Sequence, residues 1–394
     1  NYSLAILNRH FALALNDSNI KVEMLSTEGP GDFKPDLKFL KNHPDILRLH
    51  NNSEINCKPN IISRNLYPPR VNDFECGINI LHSYGWEETE FLVNSIQEFN
   101  EYLDGITVMS KQVKKILIDN GLNIPIKVTS LGVDHIHVNS EKLKLETKAF
   151  KFLHVSSCFP RKGIDILLSA YGNAFSSEDD VSLIIKTSPN PHNNVKKILE
   201  SLKASNDSFP HVLILEDDFS DIKMSGLYKF SNVLVAPSFG EGFGLPIGEA
   251  MYLGLPVITT GWGGQTDFCN HSNSWLIDFS FEYTKTHFGL KSSVWAKPST
   301  SHLSHLLKQF HSESKETINS KINAAKMEMK KYTWQNVAKQ NVSFIKSLSF
   351  DEKFKESRIG WITTFNARCG IAAYSKHLLE YISDFKIILS PNDE

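Results

Sequence analysis

Between residues 149 and 260 short, nearly all-apolar runs alternate with helical patterns, and that alternation constrains the fold more than any other feature of the chain. "FKFLHVSS", "VSLIIKTS", "HVLILED", "SNVLVAPS" and "LPVITT" are separated by "IDILLSAYGNAF", "VKKILESLKA" and "DIKMSGLYKF". A strand that is apolar on both sides has to be covered on both faces. Connections long enough to hold a helix make successive strands parallel. The expectation is a doubly wound α/β sheet, in which ligands bind beyond the carboxyl ends of the strands.

Residues 1–148 carry the same theme less regularly. "IKVEMLS" and "DGITVMS" read as strands, "SKQVKKILIDNG" as a helix stopped by Gly121, and "IPIKVTSLGVD" as a strand and turn, while charged "EKLKLETK" has no apolar face and reads as a linker. A chain of 394 residues has room for two such domains, which would face each other across a cleft. The boundaries read as 1–148 for a first Rossmann-like domain, 149–332 for a second, and 333–350 for a helix, "YTWQNVAKQNVSFIKSL", crossing back to the first.

Both ends carry their own signals. "NYSLAILNRHFALAL" opens on a helix with Leu4, Leu7, Phe11 and Leu15 on one face, and no strand comes before it. "RIGWITTFNARCGIAAYSKHLLEYI" reads as strand, turn and helix, and Tyr374-Ser375 echo Tyr2-Ser3. The expectation is a piece of a longer tandem protein. Its first domain would lack its opening strand, and residues 351–394 would be a linker and the start of a second module. Strand 359–364 could then fill the vacancy, within the chain or between copies.

A formal charge of −2 argues against an electrostatic nucleic-acid binder. Five cysteines without a C-x-x-C pair suggest reduced thiols, and the absence of a long apolar run or a leader suggests a soluble, cytoplasmic protein. "SSEDD" and "LEDDF" lack companion ligands, so no metal is expected.

The chemistry concentrates in "APSFGEGFGLPIGEAMYLGLPVITTGWGGQ", residues 236–265. Glu241 and Glu249 stand with seven residues between them across a Gly-rich turn where a strand hands over to a helix. Pro246 suits a first helical turn, and the helix N-terminus offers free N–H groups and partial positive charge to a diphosphate. Glu249 in that turn and Glu241 on the loop could accept hydrogen bonds from two polyols. A nucleotide-sugar has both parts.

"EGFGLPIGEAMYLGLPVI" resembles the Glu-x7-Glu signature of the GT-B-fold, retaining family-4 glycosyltransferases, the glycosyl transferases group 1 type, over about residues 1–350. The resemblance implies two Rossmann-like doubly wound domains facing a cleft, a nucleotide-diphosphate-sugar donor held mainly by the second, and no metal or other cofactor. It implies that Glu241 contacts the transferred sugar and Glu249 the ribose, with backbone amides of Phe243, Gly244, Leu245 and the Pro246 turn facing phosphate or sugar. Lys162 in "SSCFPRKG" matches the family's phosphate-neutralising lysine. Many members carry an arginine five residues earlier. Here Ser157 holds that place, and Arg161 precedes the lysine directly, as in a variant subset. Gly263 and Gly264 in "GWGGQTDF" offer a second glycine-rich loop at the same rim.

On the acceptor side, the resemblance points to "INILHSYGWEETEF", with His82, Trp86 and Glu87. The acceptor would be a glycan or a lipid-linked hydroxyl, and the basic helix after Ser110 could touch an anionic membrane at its inner face. The tandem pattern suggests surface polysaccharide assembly. Two rivals stand beside this reading: an epimerase or phosphorylase on the same fold, and a non-catalytic glycan-binding module.

Overall fold

The computed structural model describes residues 3–28, 31–32, 36–51, 59–136, 139–286, 288–351, 359–362 and 386–389. Residues 1–342 and 343–394 form two compact units.

The first unit opens with α1 (Ser3–Asp17), whose Leu7 and Phe11 are buried. A two-residue ladder, β1 (Thr27–Glu28) with β2 (Gly31–Asp32), and helices α2 (Leu37–Lys41) and α3 (Pro44–Asn51) follow. Then come β3 (Ile61–Arg64), β4 (Ile78–Tyr84), α4 (Val93–Tyr102), β5 (Gly105–Val108), α5 (Lys111–Asp119) and β6 (Ile126–Val128). Strands β3-β4-β5-β6 pair in that order, all parallel. The strand expected over "IKVEMLS" is not formed. Met24 N–H donates to Leu49 O at 3.0 Å and Ile20 N–H to Leu15 O at 3.3 Å, both acceptors on helices, and among the described residues the segment joins no strand ladder.

The second sheet is laid down by β7 (Phe150–Val155), α6 (Ile164–Ala174), β8 (Val181–Lys186), α7 (Val195–Ser205), β9 (His211–Leu215), α8 (Asp221–Phe230), β10 (Val233–Ala236), α9 (Leu245–Leu253), β11 (Val257–Thr260) and β12 (Trp275–Ile277). Its order, β12-β11-β10-β7-β8-β9, is parallel throughout and reverses direction between β7 and β10. A crevice opens where the order reverses, because the helices that follow the two adjacent strands leave to opposite faces. The loops after β7 and β10 are therefore brought together at the rim.

An antiparallel hairpin, β13 (Phe279–Tyr283) with β14 (Val294–Pro298), precedes α10 (Thr300–His311), α11 (Lys315–Met329) and α12 (Trp334–Asp351). One apolar core runs from Phe11 and Phe99 in the first domain through Phe243 and Met251 to Trp334. A second fills the opposite face of the larger sheet around Leu167, Leu183 and Leu307. The start of α12 is held by Trp334 N–H donating to Asp134 Oδ1 at 2.9 Å, and two turns on, Thr107 Oγ1 of β5 donates to the buried Asn341 Oδ1 at 2.7 Å.

In the second unit, β15 (Ile359–Ile362) pairs in parallel with β16 (Lys386–Leu389). Within this chain, and among the described residues, the first sheet consists of β3 to β6, and 359–362 pair with 386–389. A parallel partner farther along the chain satisfies the strand's backbone groups. The proposed turn and helix after it lie outside the described residues.

Candidate active site

The loop after β7 ends in a short 3-10 turn, Pro160–Lys162, closed by Gly163 in the left-handed region at φ 67°. The Phe239 N–H donates to Arg161 O at 2.8 Å, which zips this turn to the loop after β10. Lys162 Nζ thereby reaches both oxygens of Glu241, at 2.6 and 2.8 Å, and Ser238 Oγ donates to the same carboxylate at 2.7 Å. Arg161 reaches Glu241 at 3.8 Å, donates to Gly240 O at 3.2 Å, and pairs with Glu87 of the first domain at 2.9 Å.

Glu241 is buried. Burial works to raise its carboxyl, but the Lys162 and Arg161 charges and the bonds from Lys162 and Ser238 outweigh it and hold the group below the usual carboxylate range. Burial, then the adjacent Arg161 charge, pulls Lys162 below its ordinary value, and Glu241 opposes both. The result is an ionised, three-way bonded carboxylate between two cations.

Helix α9 starts from Gly244, left-handed at φ 87°. The N–H groups of Phe243, Gly244 and Leu245 have no partner among the described residues, so the helix end is unfilled and faces the rim. Phe243 itself is buried against Phe268 and Tyr332. Gly264 N–H donates to Glu241 O at 2.7 Å, and Gly263 sits beside the Glu241 amide. Gln265 Oε1, next in the chain, is buried without a hydrogen bond.

The glycines of the turn serve a purpose the sequence did not reveal. A methyl on Gly242 would lie 2.9 Å from Met109 Sδ and 3.3 Å from Trp86 N, and one on Gly240 would lie 2.7 Å from Glu87 O. These positions let the two domains' loops touch, so Trp86 and Glu87 stand directly across from Glu241. Trp86 is buried, bonded to Glu90 O at 2.9 Å and packed on Phe91 and Phe288.

Glu249 lies elsewhere. Tyr228 OH donates to one of its oxygens at 2.6 Å and His135 Nε2 contacts the other at 3.0 Å. Trp334 Nε1 contacts His135 Nδ1 at 3.2 Å. An indole N–H can only donate, so Nδ1 accepts and Nε2–H donates to the carboxylate. Burial, reinforced by Glu249, drives the Tyr228 hydroxyl well above the ordinary phenol value. His82 is also interior, not on the cleft. Its Nε2 meets Asn8 Oδ1 at 2.8 Å, its Nδ1 meets Ser63 Oγ at 2.7 Å, Phe11 stacks on it, and burial lowers it to about 3.

Sequence reading also missed Ser238, Tyr228, His135 and the β13–β14 hairpin. The hairpin reaches the first domain through Thr284 to Glu88 (3.1 Å), Ser292 N to Glu90 (3.0 Å) and Val294 N to Thr89 (2.8 Å). The alternating "FSFEY" was its available signal. Cys76, Cys158 and Cys269 are free, and Cys57 and Cys369 lie outside the described residues. Among the described residues no group of His, Cys, Asp or Glu is placed to hold a metal, and no helix is long and apolar enough to cross a membrane.

Residues 136–284 match the family model described as glycosyl transferases group 1. The chain is 28% identical over 200 residues to the GtfA subunit of a UDP-N-acetylglucosamine–peptide N-acetylglucosaminyltransferase of Streptococcus agalactiae, covering 48% of this chain and 38% of that protein. It is 28% identical over 156 residues to an MMP alpha-(1->4)-mannosyltransferase of Mycolicibacterium hassiacum, covering 39% and 36%. The matches thus span well under half of either relative. Sucrose-phosphate synthase from Thermosynechococcus elongatus superposes with a TM-score of 0.63 at 15% identity, over 89% of this chain and 94% of that one. The fold is GT-B, and the segment that matches the family model contains Lys162, Glu241, Glu249 and Gly264.

Proposed function

We propose that the chain is a retaining glycosyltransferase that moves a sugar from a nucleoside-diphosphate donor to a hydroxyl of a glycan or lipid-linked acceptor. The observation that carries this is the cluster at the switch of the second sheet: Lys162 and Arg161 flank Glu241 beside an unfilled helix N-terminus. A leaving nucleoside diphosphate gains negative charge as the bond to the sugar breaks, and two cations and oriented N–H groups are what that charge needs. The electron pair of the C1–O bond goes to the diphosphate. The acceptor oxygen bonds to C1 on the same face, and its proton passes to the departing phosphate oxygen. Glu241 would orient the transferred sugar, and the cations would do the neutralising that a metal ion does in other transferases.

Glu249 would hold the ribose, for which a ribose hydroxyl has to replace one of its present partners, His135 or Tyr228. Trp86 and Glu87, across from Glu241, would line the acceptor side. His82, bonded on both ring nitrogens, would support β4 and not touch the acceptor. A relative named for UDP-N-acetylglucosamine favours a uridine donor. We further infer a role in surface polysaccharide assembly at the cytoplasmic face of a membrane, with further domains of a longer chain. The exposed lysines of α5 support that placement.

Titration calorimetry with UDP, GDP, ADP and dTDP in EDTA tests the donor site. One nucleotide should bind without metal, and Glu249→Ala should weaken it by about tenfold, the worth of roughly 1.4 kcal/mol. Equal affinity of both proteins for all four nucleotides would overturn the assignment of the ribose carboxylate, and binding by none would overturn the donor site.

A further inference from the structure

One cleft of the protein lies away from Glu241. A cleft of about 260 Å³ lies beside the start of α12, on the far side of the turn Gly264–Asp267, lined by Ser130, Asp267, Tyr332, Asn336 and Gln340 among others. We propose that it is a binding subsite for one neutral sugar ring.

The size fits. It is smaller than the roughly 300–1,000 Å³ that holds a drug-sized ligand and several times the roughly 30 Å³ share of one water. The chemistry fits as well. Ser130 Oγ is buried with no hydrogen bond, a state that is costly unless a ligand relieves it. Asp267 uses one carboxylate oxygen on the Lys111 N–H at 2.8 Å, and the other has no partner among the described residues. The Gln340 amide is likewise unengaged among them, and Asn336 spends only its NH₂ group, on Lys331 O at 2.9 Å. A sugar hydroxyl both donates and accepts, so it can meet a hydroxyl, a carboxylate and two amides together. The buried Tyr332 ring supplies an apolar wall.

Two neighbouring residues hold costly backbone at this place. Ser130 and Ser83 are both left-handed, at φ 62° and 44°, and Ser83 Oγ donates to Ser130 O at 3.1 Å. Strain kept in adjacent non-glycine residues beside a cavity supports a functional reason for their geometry. An anion is the rival occupant, because Lys111 and Lys331 also line the cleft. Lys331 is already paired with Glu328 at 2.5 Å, and the Asp267 carboxylate would repel a negative group. The balance favours a neutral polyol.

The position suggests where such a ring would come from. The 3-10 turn Gly264–Asp267 rises by about 2 Å per residue, so Asp267 stands roughly 6 Å along it from the glycine bonded to Glu241. That is the scale of one glycan unit. In origin, though not in binding, the inference rests on the glycosyltransferase reading.

The test is saturation-transfer NMR on the whole chain with methyl α-D-mannoside, N-acetylglucosamine and glucose as probes. At least one should receive saturation that persists under excess UDP and under inorganic phosphate. Gln340→Trp, an exposed helix position whose new side chain fills the mouth, and Asp267→Asn, whose amide oxygen can still accept from Lys111, should each weaken it by about tenfold. Nucleotide binding by Gln340→Trp should match that of the parent chain. No saturation of any probe, displacement by UDP or by phosphate, or indifference to both substitutions would overturn the subsite. A sugar signal without any nucleotide binding would instead leave the subsite standing and remove the glycosyltransferase reading.

Discussion

Replacing Lys162 with methionine isolates the electrostatics of the switch point. At 2.6 and 2.8 Å, and with an effective dielectric near 20, the Lys162–Glu241 attraction is about 6 kcal/mol before desolvation. Burying both ions cancels much of that, but removing one partner leaves the other charge stranded, which typically costs about 3–5 kcal/mol. Glu241 would keep the Ser238 hydroxyl and Arg161 at 3.8 Å, so Lys162→Met should fall at the low end, about 3 kcal/mol. Glu241→Gln keeps an oxygen for Lys162 and should cost about 1–2 kcal/mol. The double variant strands no carboxylate and should recover about half of the Lys162→Met loss, giving a coupling of roughly 3 kcal/mol. Urea midpoints for the four proteins at pH 7, followed by tryptophan fluorescence, give the cycle, and calorimetry should show that the double variant, though it regains stability, has lost the nucleotide binding of the parent chain. If Lys162→Met is no worse than an exposed substitution, about 0.5 kcal/mol, the pair is not the buried charge cluster described and the argument fails.

Acid should weaken the protein before its carboxylates protonate. His82 and His154 are buried and lowered to about 3 and about 4 from 6.5, so their stability is fully present above pH 6.5 and is lost as pH falls toward those values. From pH 7 to 5 the two together should remove about 4 kcal/mol, read as a falling urea midpoint, and a flat midpoint across that range would contradict their buried neutral state. Glu241, lowered, adds its own loss as pH falls from the ordinary carboxylate range down through its folded value. Gly264→Ala would set a methyl 1.9 Å from Gly242 O and should cost well over 1 kcal/mol and slow nucleotide binding. Gly289→Ala, with open space around it, should show only the roughly 1 kcal/mol strain of its φ of 65°. Tyr228→Phe should cost about 1–3 kcal/mol through its lost bond to the Glu249 side chain, measured by thermal unfolding, and a neutral result would mean that Glu249 finds its second partner elsewhere.

The second domain was legible almost strand by strand because its strands are buried on both faces and read as apolar runs that nothing else mimics. Ser110 capping α5 at 3.2 Å to Val113 N, and Gly121 stopping it, were legible for the same local reason. "IKVEMLS" misled because alternation marks a chain that is half-buried and extended, and a ladder also needs a neighbour at the right height. His82 looked chemical because a lone histidine at a strand end carries no mark of which way it faces. Only the packing of α1 over β4 shows that both ring nitrogens are taken. The His135–Glu249 bond joins residues 114 positions apart and could not be read locally.

The spacing of the two glutamates now has a physical reason. Glu241 must sit on a loop, because only a loop can bring a carboxylate beside the turn after β7, and that turn is near only because the strand order reverses there. Glu249 must sit on the helix, one turn past its unfilled end, where its side chain reaches inward to α8 and to the segment entering the second domain. The residues between them change the chain from strand-end loop to helix, with a left-handed glycine at 244 making the switch. Glycines at 240 and 242 keep the loop thin enough for Trp86 and Glu87 to close over it. Each carboxylate is thus held by a different part of the protein: one by cations at the rim, the other by a tyrosine and a histidine tied to the crossing helix. A ligand that touches both would pull on the rim and on that helix together, so domain closure and ligand binding should report on each other.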